Sequence, residues 1–333
     1  INYLGAAFLV FPSAKKRDLS INWRVIAVAV TAFMLALRFL YLGTTELLPD
    51  EAYYWNYKEH LDIGYLDHPP LIAWVIWLGT AIFGDHEFGV RIFMFLSTLA
   101  SLFFIYKLTA LLFDRTSAYI SILLASIFPF TVASGYLATT DGLIILFWSA
   151  SLYFLARVFF ADSRYAWLGV GACVGLGLLS KYTMALLPLG ILAYMLINSR
   201  AYKWWSSPWP YLSGIMAVLI FVPVIYWNYL NDWASFLFQT SRRLDRESVF
   251  SIHYLLLHAL ILLSPTGLLL ILLAFRNIRR LTGNITGNSD QIKNYTLFFV
   301  VFTFIPLGIF IYFSLTHYPR FHWTSPVWLT TLP

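Results

Sequence analysis

The sequence has little charge, a single cysteine and no nucleotide-binding fingerprint. Only 11% of its 333 residues are Asp, Glu, Lys or Arg, whereas 60% are hydrophobic and 19% are aromatic. This composition excludes a soluble globular domain. Cys173 has no second cysteine to pair with, so an internal disulfide is excluded. The cysteine content therefore does not distinguish an oxidising from a reducing compartment. The absence of a Walker loop and of a dinucleotide fingerprint argues against a nucleotide donor.

Apolar runs of about 20 residues recur along the chain, and each is long enough to cross the hydrocarbon core of a bilayer. Backbone polar groups in lipid must be satisfied within their own segment, so we predict an all-α polytopic membrane protein. It has about nine spans, and a tenth begins near Trp323. The predicted spans are residues 24–43, 89–112, 117–137, 141–160, 165–180, 182–198, 209–230, 254–275 and 295–315.

The stretch 68–84 is apolar but short, and it opens with two prolines. We interpret it as a helix that lies in the membrane interface or re-enters it, and not as a full crossing. The domain organisation is then a cytoplasmic segment, 1–23, and a transmembrane domain, 24–333, with a first outer loop, 44–88, that contains juxtamembrane helices. The chain has no initial Met, shows no cleavable signal peptide and stops as a new apolar run opens. We therefore expect a fragment that lacks its C-terminal part, with the first span as a retained anchor.

The distribution of basic residues gives the orientation. With the N-terminus in the cytoplasm, most Lys and Arg fall on the inner side, as the positive-inside rule requires. Counting 68–84 as a crossing would scatter these basic clusters and would place Asp141 and Lys181 inside. The net charge of +6 is explained by the inner loops facing anionic lipids and does not call for nucleic acid.

Half of the 16 acidic residues fall in the first outer loop. For most of them a solvated loop is explanation enough. Asp50 and Glu51 differ because they follow Pro49 at a predicted helix N-terminus and precede aromatic residues, including Tyr53 and Tyr54, that suit a headgroup boundary. A carboxylate held at the membrane surface is suited to chemistry on a lipid-linked substrate.

Two more polar sites interrupt apolar runs. Asp141 stands between two spans at their outer ends, where it is an N-cap or first-turn acid and is free to have a second role. Lys181, followed by Tyr182, splits a long apolar stretch and is either a snorkelling anchor or a ligand for an anionic phosphate. A lysine on the outer side departs from the predicted excess of basic residues on the inner side, which favours the role of a phosphate ligand for Lys181.

Arginines in two later outer segments form either salt-bridged surfaces or phosphate clamps, for which the Arg fork is well matched. They are Arg242, Arg243, Arg246 and Arg320. All seven histidines, including His68, fall on or near the outer side. Their spacings match no zinc motif, so interfacial hydrogen bonding is the favoured reading, no cofactor is expected, and a divalent metal is possible but not indicated.

Five motifs in order make the chain resemble the GT-C membrane glycosyltransferases of the protein O-mannosyltransferase-like group, which includes bacterial aminoarabinose transferases that modify lipid A. They are PDEAYYW (49–55), GYLDHPPLIAW (64–74), EFGVR (87–91), TTDGLIILFW (139–148) and GLLSKYT (177–183). The resemblance covers residues 24–200 well and implies a GT-C-type helix bundle. It also implies inverting sugar transfer from a polyprenyl-phosphate-sugar donor.

Site roles follow from the same resemblance. Asp50 matches the acid of the first loop, the general base that deprotonates the acceptor hydroxyl, and Glu51 supports its geometry. Asp141 matches the second acid, which positions the acceptor or the base. Lys181 and the four arginines named above would hold the lipid phosphate. The chain departs from the aminoarabinose transferases at His68, where they carry Lys, so their sugar and acceptor are not carried over.

The predicted partners are the lipid-linked donor, a glycolipid acceptor such as lipid A or a protein hydroxyl, and membrane lipids. We expect a bacterial inner membrane protein with its active site on the periplasmic side. A transporter or flippase of lipid-linked sugars is the alternative, and it would be expected to carry ionisable residues near mid-bilayer. Charges here lie near the span ends, which favours an enzyme.

Overall fold

The computed structural model describes residues 22–241, 248–284 and 289–333. Every regular element in these ranges is a helix, as the sequence predicts. The α-helices are α1 (Trp23–Tyr41), α2 (Pro49–Glu59), α3 (Leu71–Phe83), α4 (Glu87–Leu112), α5 (Arg115–Ile127), α6 (Pro129–Tyr136), α7 (Thr140–Phe160), α8 (Ala166–Ser180), α9 (Leu186–Ile197), α10 (Pro208–Leu230), α11 (Ala234–Gln239), α12 (Ile252–Asn284) and α13 (Ser289–Ser314). Short 3₁₀ helices occupy Tyr182–Ala185, Ser199–Ser206 and Ser325–Thr331.

Six helices in the described ranges are long and apolar enough to cross a membrane: α1, α4, α7, α10, the part of α12 up to Leu273, and α13. The number rises to eight if two bent helix pairs each count as one span. One of these pairs is α5 and α6, which meet at 66°. The chain is therefore a multi-span membrane protein.

Proline and polar caps explain several helix boundaries. Pro49 occupies the first position of α2, where its missing N–H costs nothing. Asp114 caps α5 by accepting hydrogen bonds from the backbone N–H groups of Thr116 and Ser117. Pro129 cannot continue α5 without losing a helical hydrogen bond, and α6 starts there in a new direction. The apolar run 117–137, predicted as one span, is thus two helices.

Helix α3 has 13 residues, fewer than a bilayer crossing needs. Its two flanks also touch each other. Asp85, which follows α3, accepts hydrogen bonds from Trp55 Nε1 at 2.8 Å and from Lys58 Nζ at 2.7 Å, both on α2. The chain on either side of α3 therefore lies at one end of the bundle, as expected for a juxtamembrane helix.

The main core surrounds α7, which packs against α4 and α8. Trp148 on α7, Trp167 on α8 and Phe298 on α13 are among its largest fully buried side chains. Gly171 allows α8 and α10 to approach closely, because a Cβ at this position would lie 2.5 Å from the carbonyl oxygen of Ser213. Small residues of this kind are the usual means of close helix packing in membranes.

Three helix termini meet at one end of this core: the start of α7, the end of α8, and the chain that follows α13. Their meeting is shown by the contacts of Asp141 with Lys181 and with His322. Helices α2 and α3 and the loop between them cover the same end. We call it the site end of the bundle.

Candidate functional site

Glu51 and Arg91 form a buried ion pair beneath α2. Arg91 Nε donates to Glu51 Oε1 at 2.8 Å and Arg91 Nη2 to Glu51 Oε2 at 2.7 Å, and neither side chain is exposed to solvent. The carboxylate also accepts hydrogen bonds from the backbone N–H groups of Ala138 and Leu48. Burial would raise the pKa of Glu51, but these bonds outweigh it and hold the pKa below its usual value.

The remaining donors of Arg91 bind the chain that leads into α2. Nη1 donates to the carbonyl oxygens of Leu42 and Thr45, and Nη2 donates to that of Glu46. Glu51 and Arg91 together therefore fix the start of α2 and the chain before it to α4 and to the chain before α7. Their position marks them as structural supports of the site, away from its open surface.

Asp50 precedes Glu51 on α2 but does not share its buried face. Successive residues of a helix are rotated by about 100°, so two adjacent acids cannot share one face. Asp50 is exposed, and no hydrogen-bond or ion-pair partner for its carboxylate exists among the residues that the structure describes. Its charge nevertheless acts on Tyr54 and on His322, which places it within the same electrostatic cluster as Asp141.

Asp141 and Lys181 are paired within the site. Lys181 Nζ donates to Asp141 Oδ1 at 2.6 Å, and both residues are more than nine-tenths buried. Asp141 lies in the first turn of α7, and Lys181 ends α8 in an extended conformation. Lys181 is therefore not the lone ammonium considered from the sequence, because the fold supplies its counter-ion.

The other carboxylate oxygen of Asp141 faces His322. Asp141 Oδ2 lies 4.0 Å from His322 Nδ1, beyond hydrogen-bond distance. The charge of Asp141 acts to raise the pKa of His322, but Lys181, burial and His68 outweigh it, and the pKa falls to about 4. His322 is consequently neutral at physiological pH, and it is the histidine of the later outer segment that the structure brings to the candidate site.

The tyrosines of α2 converge on Asp67. Its Oδ2 accepts a hydrogen bond from Tyr53 at 3.0 Å and its Oδ1 one from Tyr57. His68 Nδ1 also lies 3.0 Å from Oδ2, although it is not aligned for a hydrogen bond. Burial acts to raise the pKa of Asp67, but His68 and the two hydroxyls outweigh it and lower the pKa to about 2.

Tyr54 lies between the group around Asp67 and the pair of Asp141 and Lys181. It is buried, and its hydroxyl lies 3.2 Å from His68 Nε2. Burial raises the pKa of Tyr54, and the charges of Asp141, Asp67 and Asp50 raise it further. The hydroxyl thus stays protonated and can donate toward a ligand or toward His68.

Helices α10 and α11 hold the loop from the other side. Trp227 Nε1 donates to Asp62 Oδ2 at 2.9 Å, and Gln239 Nε2 donates to the carbonyl oxygen of Asp67. Tyr182 hydrogen bonds to Ser235 Oγ at 2.7 Å, so the residue after Lys181 is anchored to α11. The loop over the site is therefore tied to the bundle at several points.

The arginines proposed for phosphate binding are placed unequally. Arg320 is exposed, and its guanidinium has no partner within residues 22–241, 248–284 and 289–333. Arg242, Arg243 and Arg246 lie outside the described residues. No group of three or more His, Cys, Asp or Glu in the described part of the chain could hold a metal ion.

The structure brings Asp50, Asp141, Lys181, His68 and Tyr54 into one cluster. Three partners were not recognised from the sequence: Arg91 for Glu51, Asp67 for His68, and His322 for Asp141. The motif EFGVR contains Arg91 and was noted, but nothing in a linear pattern identifies Glu51 as its partner. His322 was considered only as one of seven histidines, for which interfacial hydrogen bonding was favoured over zinc binding.

The chain matches known glycosyltransferases over about half its length. Residues 67–227 match the family described as dolichyl-phosphate-mannose-protein mannosyltransferase. An undecaprenyl phosphate-alpha-4-amino-4-deoxy-L-arabinose arabinosyl transferase of Pseudomonas paraeruginosa is 32% identical over 198 residues, which cover 54% of this chain and 34% of the relative. A lipid A galacturonosyltransferase, RgtD, of Rhizobium johnstonii is 28% identical over 58% of this chain and 41% of its own length. The chain thus spans well under half of these relatives.

The fold is shared with solved membrane proteins. ArnT from Cupriavidus metallidurans bound to undecaprenyl phosphate superposes with a TM-score of 0.72 at 20% identity, over 94% of this chain and 59% of that one. An oligosaccharyltransferase from Archaeoglobus fulgidus gives 0.53 at 15% identity, over 95% of this chain and 50% of that one. The predicted helix-bundle fold is confirmed.

Proposed function

We propose that this chain, which is related to the GT-C membrane glycosyltransferases of the protein O-mannosyltransferase-like group, carries the catalytic face of an inverting glycosyltransferase. The donor is a polyprenyl-phosphate-linked sugar. The acceptor is a hydroxyl of a glycolipid such as lipid A, or of a protein. The relatives named above support the donor class, and the chemistry of the site end supports the reaction.

The carboxylate of Asp50 is the observation that carries this proposal. A general base must be ionised and must be able to reach the substrate. Glu51 and Asp141 are both ion-paired and buried, whereas Asp50 is exposed and has no partner in the described ranges. Asp50 is therefore the acid of this cluster that is best placed to take the proton of an acceptor hydroxyl.

The leaving phosphate needs positive charge. Lys181 supplies it beside Asp141, which keeps the ammonium in place before the lipid arrives. Arg320 offers a second cation in the chain after α13, and its guanidinium has no partner among the described residues. Stabilising the charge that develops on the departing phosphate is the larger share of such catalysis, since preorganised charges need no reorganisation during the reaction.

His68 and the tyrosines around it line the cluster on the α2 side. Tyr54 and His68 present a hydroxyl and an imidazole that hydrogen bond each other, and both groups suit the hydroxyls of a sugar. Tyr53 and Tyr182 lie on either side, held by Asp67 and Ser235. We assign this surface to the substrates, and we assign the site end to the periplasmic side of the inner membrane.

The test is sugar transfer by the full-length protein in membranes, from a labelled polyprenyl-phosphate-sugar pool. Asp50→Asn is expected to lower transfer by about 10²- to 10⁴-fold, the usual contribution of a general base. Protein level and donor binding should be unchanged. Glu59→Gln is the matched control, because Glu59 is also an exposed acid of α2 but pairs with Lys58 at 2.8 Å.

Equal transfer by wild type and Asp50→Asn would remove Asp50 from catalysis. Translocation of the lipid-linked sugar across vesicle membranes, without transfer, would instead favour a flippase. These two results contradict different parts of the proposal, so each can be recognised.

A further inference from the structure

The space between Asp141 and His322 is the feature from which a further site follows. Lys181 takes Oδ1 of Asp141, and Oδ2 points toward His322 Nδ1 across 4.0 Å. The side chains of His322 and Asp141 are 39% and 11% exposed, so the pair is not sealed from solvent. The two atoms belong to different elements, α7 and the chain after α13, and neither makes a hydrogen bond to the other.

A separation of 4.0 Å matches one bridging oxygen atom. An oxygen that lies about 2.8 Å from both atoms subtends an angle of about 90° at the bridge, which is compatible with hydrogen bonding. Asp141 Oδ2 can only accept, because it is a carboxylate oxygen. His322 Nδ1 donates when the proton of the neutral ring is on that nitrogen. The bridging group must therefore both donate and accept, which a hydroxyl does.

Lys181, burial and His68 together keep the imidazole of His322 neutral against the charges of two acids. The groups that act on it are Asp141 from α7, Lys181 from the end of α8, His68 from the loop before α3, and Asp50 from α2. Two of these are acids, and Lys181 opposes them. A neutral imidazole can offer one N–H to a ligand without adding a second positive charge next to Lys181.

We propose that Asp141 and His322 form a two-point clamp for one sugar hydroxyl, which donates to Asp141 Oδ2 and accepts from His322 Nδ1. This inference rests on the proposed function. The hydroxyl belongs either to the donor sugar or to a sugar of the acceptor, since both carry the same chemistry. His322 is thus a binding residue of the site, and the sequence pattern of its segment does not reveal this role.

The experiment compares three side chains at position 322 in the full-length protein in lipid nanodiscs. His322→Asn keeps an N–H donor near the place of Nδ1, and His322→Leu removes it. His60→Leu is the control, because His60 is an exposed histidine at the end of α2 that lies outside the cluster. The probes are undecaprenyl phosphate alone and undecaprenyl phosphate that carries a pentose or hexose, together with the acceptor that wild type uses.

Loss of one neutral hydrogen bond is expected to weaken the affected step about 3- to 10-fold. If the hydroxyl is the donor's, His322→Leu weakens binding of the sugar-bearing lipid and not of undecaprenyl phosphate alone. If the hydroxyl is the acceptor's, donor binding is unchanged and KM for the acceptor rises. His322→Asn should retain most of the wild-type value in either case.

Two results would overturn the clamp: His322→Leu that behaves like His60→Leu in both measurements, or His322→Asn that is as impaired as His322→Leu. Failure of the proposed function looks different. In that case wild type itself transfers no sugar and binds the sugar-bearing lipid no better than undecaprenyl phosphate alone, and the clamp falls with it.

Discussion

The carboxylate of Glu51 and the guanidinium of Arg91 meet in two hydrogen bonds of 2.7 and 2.8 Å, although 40 residues separate them in the chain. Neither side chain is exposed. Asp141 and Lys181, likewise 40 residues apart, form a second buried ion pair at the site end. Two ion pairs between residues distant in the sequence therefore hold the elements that carry the cluster. The neighbouring carboxylate of Asp50 is exposed and has no partner in the described ranges.

Removing one member of the deeper pair should destabilise the protein strongly. Glu51→Gln leaves Arg91 as an uncompensated buried charge, and a loss of about 3–5 kcal/mol is expected from such a change. The measurement is the thermal unfolding midpoint of the detergent-purified protein. Glu59→Gln on the same helix should shift the midpoint little, because that acid is exposed. Equal shifts for the two variants would contradict the structural role of Glu51.

The second pair should separate stability from activity. Lys181→Met alone leaves the buried carboxylate of Asp141 without its cation, and Asp141→Asn alone leaves the ammonium without its anion. Each single variant is expected to unfold at a lower temperature than wild type. The double variant should recover much of that loss, because it removes both charges. Sugar transfer should remain lost in all three, and recovery of transfer in the double variant would show that the pair is purely structural.

Some of this arrangement is readable from sequence. Pro49 marks the start of α2, and the acids that follow it were placed correctly at a helix N-terminus. The short run 68–84 was expected not to cross; the contact of Asp85 with α2 agrees with that expectation, which stays a prediction. The prediction of the helix start succeeds because it depends on a local rule, a proline followed by acidic residues at the first turn of a helix.

The pairings could not be predicted, because they depend on which helix ends meet. The pair Glu51–Arg91 depends on where α2 lies against α4, and the pair Asp141–Lys181 depends on the start of α7 meeting the end of α8. The break between α5 and α6 carried a local signal, Pro129, within a run that we predicted as one span. His322 carried no usable signal, since a single histidine in an aromatic segment suits a headgroup boundary equally well.

Gly64 should tolerate no side chain. A Cβ at this position would lie 2.5 Å from Trp227 Cγ, so Gly64→Ala must displace the indole that hydrogen bonds Asp62. A loss of about 1–3 kcal/mol is expected, as for other overpacked sites. Gly214→Ala is the control, because nothing lies within 4 Å of its Cβ and alanine favours a helix. Thermal unfolding of both variants is the measurement, and an equally mild effect would contradict this packing.

Asp67 should contribute stability that is lost in acid. Its pKa is about 2 in the folded protein and 3.8 in the absence of its partners, so the unfolded chain takes up the proton first as the pH falls. The contribution is complete above about pH 4 and disappears as the pH falls through 2. The difference in unfolding midpoint between wild type and Asp67→Asn should therefore shrink across this window. A constant difference would show that the partners of Asp67 do not depend on its charge.

The orientation of the bundle can be tested with single cysteines. Cys173 is the one cysteine of the sequence and is buried. Cys173→Ala therefore gives a cysteine-free background that a membrane-impermeant maleimide cannot label. On this background, Glu59→Cys and Asp85→Cys should both react in intact spheroplasts, since they flank α3 on the predicted periplasmic side. Arg164→Cys should react only after the membrane is opened. Labelling of Glu59→Cys and Asp85→Cys from opposite sides would mean that α3 crosses the bilayer.

The exposure of Asp50 and the burial of Glu51 have a consequence for how this segment can vary. The two acids have the same charge, yet exchanging them by Asp50→Glu together with Glu51→Asp would preserve composition and net charge while shortening the buried carboxylate that Arg91 and the N–H of Leu48 require. One methylene is enough to break contacts of 2.7 to 3.0 Å. The order of Asp50 and Glu51, and not only their total charge, is therefore required by the contacts of α2.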